Sequence, residues 1–186
     1  MNKKFAAEGG TYQIIHIEPH LAEGIEAFNQ VYGRSWKKPE PFPEFIPGFI
    51  RWLAAEGKLR LGVARLGNDP IAAQLWLVHC GKAYIYKVAY DEEHTAFTPG
   101  TLVTSLLMQF VIDQDKVKEV DYLIGDDKYK KTWMSHRRER WGIVAYNQGK
   151  LFGILLLIKE VLGRCLKRCR AHHARYLAQS THTKNQ

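Results

Sequence analysis

Apolar and polar positions change period along the chain, and each change marks an element. Thr11–Ile17 (TYQIIHI) reads as a short strand closed by Glu18-Pro19. From Leu21 to Trp36, Leu21, Ile25, Phe28 and Tyr32 recur at helical spacing and predict a first helix. The proline-rich stretch KKPEPFPEFIPG is expected to hold no regular element through Pro47. Each proline there lacks an N–H and crowds the preceding turn. A second helix is expected over Phe49–Glu56, closed by Gly57.

The period then shortens to that of strands. LRLGVARL (59–66), the turn Gly67-Asn68-Asp69-Pro70 and IAAQLWLVH (71–79) predict a hairpin. A second turn, Cys80-Gly81-Lys82, leads to AYIYKVAY (83–90) and completes an antiparallel meander. Alternation sets Ile71, Ala73, Leu75 and Leu77 on one face and Gln74, Trp76 and Val78 on the other. It likewise puts Tyr84, Tyr86, Val88 and Tyr90 together, with Lys87 opposite. After the loop DEEHTAF, the stripe Leu102, Val103, Leu106, Leu107, Phe110 and Val111 predicts the clearest helix. Thr98 suits its N-cap and Pro99 its first position. VDYLIG (120–125) reads as a short buried strand, Lys128–Ser135 as a short helix and Trp141–Tyr146 as a last strand. Residues 150–178 read as one long helix, apolar first and basic later.

At 186 residues and 46% hydrophobic, the chain suits one ordinary α/β domain, expected over 1–148, with 149–186 as an amphipathic basic helix and tail. The net charge of +8 is uneven. From residue 159 onward seven cations (Lys159, Arg164, Lys167, Arg168, Arg170, Arg175 and Lys184) face the single acid Glu160. The nearly balanced body therefore offers no broad nucleic-acid footprint. Three cysteines, Cys80, Cys165 and Cys169, suit a reducing cytosol better than a disulfide framework. The start MNKKFAAEGG has no apolar core of a signal peptide, and Leu151–Ile158 is too short to span a bilayer. A cytoplasmic protein is expected, with a place at the inner face of the membrane open.

The element order β, α, α, meander, helix entered through Thr-Pro-Gly, then β, α, β is that of the GNAT acyltransferase fold. The segments RLGVARLGNDPIAAQLWLVHCGKAYIYKVAYDEEHTAFTPGTLVTSLLMQFVID and EVDYLIGDDKYKKTWMSHRRERWGIVAYN resemble the acyltransferase lobe related to Fem-type peptidoglycan ligases. They are most similar to its cellulose- or polysaccharide-biosynthesis acyltransferase-like branch. The resemblance covers roughly residues 10–148 and rests on the TPG turn and on G-D-D-x-Y-K-x-x-W. It implies a mixed central sheet with an antiparallel meander flanked by helices. It also implies acyl-CoA, in particular acetyl-CoA, as donor and an amine or hydroxyl of a bacterial cell-envelope saccharide as acceptor. The family's basic or Gln residue followed by Gly-x-Gly is missing, and Glu92, Glu93 and His94 occupy part of that loop, where acids repel phosphate.

Elementary chemistry supports the same places. A helix N-terminus presents unpaired N–H groups and a positive dipole end, which suits the pyrophosphate of coenzyme A. Gly100 leaves room for close approach, Thr98 and Thr101 offer hydroxyls, and Val88 and Tyr90 lie on the strand that the resemblance implies holds the acyl and pantetheine arm. Asp126 or Asp127 is placed to take a proton from an attacking group. Tyr129 is implied to give one to the departing thiolate, and Lys130 to hold a substrate anion. Tyr86, Lys87, Asp127 and Trp133 are the expected acceptor-binding residues. The competing readings are structural: an Asp as helix cap, lysines as a solvated face, Trp133 as packing and Lys87 at a solvated rim. His79 and Cys80, adjacent on a strand, are expected to point to opposite faces and form no nucleophile pair. Cys165 and Cys169 with His172 or His173 supply only part of a metal shell, so no metal is expected.

The apolar-then-basic tail suits contact with an anionic bilayer through 150–178, or docking on its own body. Fem-related chains carry two lobes, so a second GNAT lobe or a homodimer is an expected partner. Two further readings stay open: Fem-like transfer from aminoacyl-tRNA, and a catalytically silent binding or membrane-docking module.

Overall fold

The computed structural model describes residues 3–182, with side chains within 3–169. The chain divides into two compact units, Met1–Trp133 and Met134–Gln186.

The first unit is a five-stranded sheet in the order β1-β2-β3-β4-β5, formed by β1 (Gly10–Ile15), β2 (Leu59–Leu66), β3 (Asp69–His79), β4 (Lys82–Tyr90) and β5 (Glu119–Asp121). The first four strands pair antiparallel, and β5 joins β4 in parallel. The meander turns are tight because the residues that make them accept positive φ: Gly67 at 60°, and Cys80 and Gly81 at 49° and 70°. Such turns match the right-handed twist of the flanking strands.

Helices cover both faces of this sheet. On one side lie α2 (Leu21–Arg34) and α3 (Phe45–Ala55), preceded in the chain by the short α1 (Lys3–Ala7). Ile25, Phe28 and Val31 of α2 and Ile50 and Leu53 of α3 bury against Ile15, Leu61, Val63 and Leu75. That cluster supplies most of the hydrophobic stabilisation. On the other side lies α4 (Pro99–Asp113), separated from β4 by a 3₁₀ turn over Glu92–Phe97. Gly62 lets α4 approach closely: a Cβ there would stand 2.8 Å from both Val103 Cγ1 and Leu107 Cδ1. The Arg60 guanidinium clamps the end of α4 by donating to both Asp115 oxygens, at 2.8 and 2.5 Å.

Several expectations are corrected. The proline-rich loop does hold a helical turn, since α3 begins at Phe45 and includes Pro47. Pro47 sits in the first turn, where an N–H has no intrahelical acceptor to lose. The buried strand expected over 120–125 is shorter, Glu119–Asp121, and the short helix is α5, Lys130–Trp133.

In the second unit, the strand expected over Trp141–Tyr146 is not formed: the segment is irregular, and Trp141 and Ile143 are exposed. A strand needs a neighbour for its N–H and C=O groups, and that unit offers none among the described residues. The long helix expected there is α6, Leu151–His182. Leu151, Leu155, Ile158 and Leu162 make an exposed stripe along it. No helix among the described residues is long and apolar enough to cross a membrane. His172, His173, Arg170 and Arg175 lie outside the described side chains, and Lys184 lies outside the described residues.

Candidate active site

The sheet comes apart on the outer side of β4. Its pairing with β5 covers only Lys82↔Glu119, Ala83↔Val120 and Tyr84↔Asp121. From Ile85 to Tyr90 that edge carries no strand partner among the described residues. Beyond Asp121 the chain turns away through Leu123 at φ 55° and Gly125 at φ 108°. The Asp121 carboxylate fixes the turn by accepting the Leu123 N–H at 2.7 Å. Left-handed leucine is costly and is held only where its surroundings impose it. The result is a cleft whose near wall is an unpaired strand edge bearing free backbone donors and acceptors.

A bulge decides which side chains of β4 face where. The register between β3 and β4 shifts at Leu75/Trp76, which pair with Lys87 and Ile85 and leave Tyr86 as the extra residue. Simple alternation therefore fails here. Tyr86 turns to the α3 face, where its ring meets Phe49 edge-on at 5.2 Å. Lys87 is on that face too, its Nζ lying over the rings of Tyr86 and Tyr32. Val88 and Tyr90, whose partners are Gln74 and Ala72, look towards α4. The expected grouping of Tyr84, Tyr86, Val88 and Tyr90 on one face is thus corrected, as is the placing of Lys87 opposite them.

Lys87 is not at a solvated rim. Its Nζ donates to Glu40 Oε1 at 2.5 Å, and the Tyr32 hydroxyl donates to the same oxygen at 2.5 Å. The lysine hydrogen bond, followed by that of the tyrosine, holds the Glu40 carboxyl below its ordinary range. Burial with the Glu40 carboxylate beside it raises the Tyr32 phenol. This triad ties the proline-rich loop to the bulge. Lys37, from the same loop, is lowered by burial and by Lys87, and it also feels Asp127 and Lys130. Loop 37–40 thus meets the bulge through Glu40 and Lys87.

On the α4 side, the helix mouth is narrower than expected. Thr98 stands at the N-cap position and Pro99 at the first helical one, as expected, but Thr98 takes left-handed φ and ψ of 50° and 48° and its side chain makes no capping hydrogen bond. Its carbonyl instead accepts the N–H groups of Thr101 at 3.0 Å and Leu102 at 3.1 Å. Pro99 has no N–H, so the Gly100 amide is the first-turn donor left without an acceptor among the described residues. Gly100 is pressed by the Tyr90 ring, which a Cβ would meet at 3.0 Å, and Trp36 packs on Tyr90 at 4.6 Å between centroids. Its carbonyl accepts Gln74 Nε2 at 2.8 Å, and Gln74 Oε1 in turn accepts the Trp76 indole N–H at 2.9 Å. The exposed hydroxyl residues Thr98 and Thr101 flank this amide. Buried Asp91, just upstream, caps the 3₁₀ turn by accepting the Glu93 N–H. This mouth fits the close approach of one anionic group, not a deep multidentate cradle.

Past the cleft, Asp126 and Asp127 are exposed and Trp133 is half-buried. Lys130 turns inward: its Nζ donates to the Ile124 carbonyl at 2.7 Å and lies 3.3 Å from Asp127. Tyr129 is 48% exposed, and its ring lies 6.2 Å from that of Tyr122. Burial, with a contribution from Asp127, raises the Tyr129 phenol above its ordinary value. Tyr122 is buried, its hydroxyl has no hydrogen-bond partner among the described residues, and burial raises its phenol strongly. Sequence reasoning missed Tyr122, Glu40, Tyr32, Lys37 and Gln74. The one signal available was Lys87 in an apolar strand, which called for an acid.

A groove of about 430 Å³ opens on the α3 face beside the cleft, lined by Phe49, Trp52, Leu77, Tyr84, Tyr86 and Leu123. Lys58 and His79 line it as well. His79 corrects one further expectation: its Nε2 is 3.2 Å from Cys80 Sγ. Cys80 belongs to the turn, not the strand, and positive φ brings its side chain back. No group of three or more His, Cys, Asp or Glu residues able to hold a metal occurs among the described residues.

Residues 2–131 match the acetyltransferase (GNAT) domain family. No curated protein matches the chain. Among solved structures, an aminoglycoside acetyltransferase from an uncultured soil metagenomic sample, in complex with trehalose, is 16% identical with a TM-score of 0.52, over 75% of this chain and 97% of that one. Glucosamine-6-phosphate N-acetyltransferase from Arabidopsis thaliana is 15% identical with a TM-score of 0.51, over 72% and 98%. AAC(6')-Iy, in complex with the bisubstrate analog CoA-S-monomethyl-acetylneamine, is 7% identical with a TM-score of 0.53, over 73% and 99%. At these identities the likeness is one of fold: a mixed sheet flanked by helices.

Proposed function

The chain belongs to the acetyltransferase (GNAT) domain family, and from that premise we propose that it moves an acetyl group from acetyl-CoA to an amine or hydroxyl of a small acceptor at the β4–β5 cleft. The observation that carries this reading is the unpaired β4 edge from Ile85 to Tyr90, ending beside the mouth of α4. The donor, when bound, supplies an acetyl group activated as a thioester. Backbone groups of Val88 and the neighbouring β4 residues hold and orient it. The Gly100 amide, with the Thr98 and Thr101 hydroxyls, meets an anionic group on the carrier. Tyr129, its phenol raised, keeps its proton at neutral pH and suits the role of proton donor to a departing thiolate. Asp126, exposed beside it, suits the role of base towards the acceptor. Lys130 acts through its neighbours: by holding the Ile124 carbonyl it shapes the segment that carries Asp126 and Tyr129. Positioning and proton transfer then account for catalysis without a covalent enzyme intermediate.

A saccharide of the cell envelope or its precursor is the acceptor suggested by the Fem-type resemblance. Phe49, Trp52, Tyr84 and Tyr86, which line the groove beside the cleft, supply apolar ring surface for such an acceptor. The test is release of free coenzyme A thiol from acetyl-CoA in the presence of amine and amino-sugar acceptors. Acceptor-dependent release is expected. Saturable tRNA binding without thiol release, or no acetyl-CoA binding at all, contradicts the proposal.

A further inference from the structure

We propose that α6 lies in the plane of an anionic phospholipid surface, held there by the apolar stripe that begins at Leu151. This is independent of the acetyl-transfer site. Leu151, Leu155, Ile158, Leu162 and Leu166 are each about half exposed or more. At about 100° per residue they fall within about a quarter of the helix circumference. Glu160, Arg164, Lys167 and Arg168 take the opposite side, and Lys159 stands at the border of the stripe. None of the described side chains from 134 to 169 is buried, so the second unit has no apolar core of its own. Trp141 and Ile143 of that unit are exposed as well, and an indole suits the headgroup level of a bilayer. Residues 151–157 are apolar on every side, yet no helix among the described residues is long and apolar enough to cross a membrane. A helix with an apolar stripe, a basic opposite face and too little length to span lies along a bilayer with the stripe inward.

Charge selects the occupant. The described side chains of α6 carry four cations, Lys159, Arg164, Lys167 and Arg168, against the single acid Glu160. Arg164 Nε donates to Glu160 Oε1 at 2.9 Å, so that acid is already taken. No acid follows Glu160 in the sequence. Two copies of α6 packed stripe to stripe would bring two cationic helices together with no spare acid between them, and like charges repel. An anionic bilayer supplies the opposite charge in excess. Lys159, at the border, lays its aliphatic stem along the stripe and keeps its ammonium at the phosphate level. Nucleic acid would match the cations but leave the stripe in water.

The experiment is flotation of the full chain with vesicles of equimolar phosphatidylglycerol and phosphatidylcholine, and with vesicles of phosphatidylcholine alone. Each basic side chain near an anionic surface is worth about fivefold in partition. The native chain is therefore expected to bind the mixed vesicles at least about tenfold more tightly than the neutral ones, and to lose that margin as salt is raised. Leu155→Gln with Leu162→Gln keeps the charge and the helix propensity, and is expected to weaken binding to the mixed vesicles at least about tenfold. Lys159→Gln with Lys167→Gln and Arg168→Gln is expected to weaken it about a hundredfold and to leave binding to the neutral vesicles unchanged. All five side chains are exposed, so the melting temperature of both variants is expected to hold. Sedimentation of the lipid-free chain and titration with tRNA run alongside. A dimer that the two leucine substitutions disperse, without vesicle binding, makes the stripe an interface between copies and overturns the proposal. Binding of tRNA that those substitutions leave intact, again without vesicle binding, overturns it too. So does equal binding to both vesicle types, or a native chain that floats with neither.

Discussion

Glu40 shows how one side chain can fix the geometry of a site from a distance. It accepts from Lys87 and Tyr32 at once, and so pins a loop of three prolines, Pro39, Pro41 and Pro43, to the bulge. Because its folded pKa lies below the unfolded one, its contribution is present above the unfolded value of about 4.3 and fades as the pH falls through the folded one. Glu40→Gln is therefore expected to cost about 1–2 kcal/mol at pH 7 and progressively less as the pH falls below the unfolded value, as read by urea melts across that range. Tyr129 makes a different test. Its raised phenol keeps the proton beyond the ordinary tyrosine range, so it serves as acid and not as base at neutral pH. Tyr129→Phe should lower kcat about a hundredfold with the KM for acetyl-CoA unchanged. An unchanged kcat would move the role elsewhere, first to Tyr122.

Among elements, the meander and α4 were legible because their periods run unbroken: Leu59–His79 reads as a hairpin, and Leu107 and Val111 meet the sheet as their spacing requires. Three misreadings share a physical origin, in that local pattern does not register the partner. Alternation along β4 counts residues, but the extra residue at Tyr86 resets the count, and nothing in AYIYKVAY announces it. Pro47 stops a helix only where an N–H is needed, and the first turn of α3 needs none. WGIVAY has strand-like residues without a strand beside it. The close contact of α4 with β2 yields its own prediction. Gly62→Ala puts a Cβ 2.8 Å from Val103 and Leu107 side chains and should cost about 1–3 kcal/mol by overpacking, measured by chemical denaturation. Wild-type stability in that variant would mean that α4 shifts freely on the sheet.

Across the whole molecule, the core cluster lies between Ile15 and Ala89, within the first unit. The mixed sheet follows from one parallel strand added to an antiparallel meander, and the cleft follows from that strand being too short to cover β4. The order of elements made this architecture readable from sequence, and the Thr-Pro-Gly turn marked the start of α4. Its detail was not readable: Thr98 turns its carbonyl, not its hydroxyl, to the helix, which leaves fewer donors than a simple helix start would offer. Glu40 was hidden for the same reason that most tertiary partners are, since 47 residues separate it from Lys87. The central claim is that acetyl-CoA binds along the open β4 edge with Gly100 at its charged end. Calorimetric titration of acetyl-CoA into the full chain and into Gly100→Val tests it most directly. Saturable one-to-one binding, weakened at least tenfold by the added side chain at a temperature well below the melting points of both, is the expected result. No binding to the native chain, or equal binding to both, contradicts it.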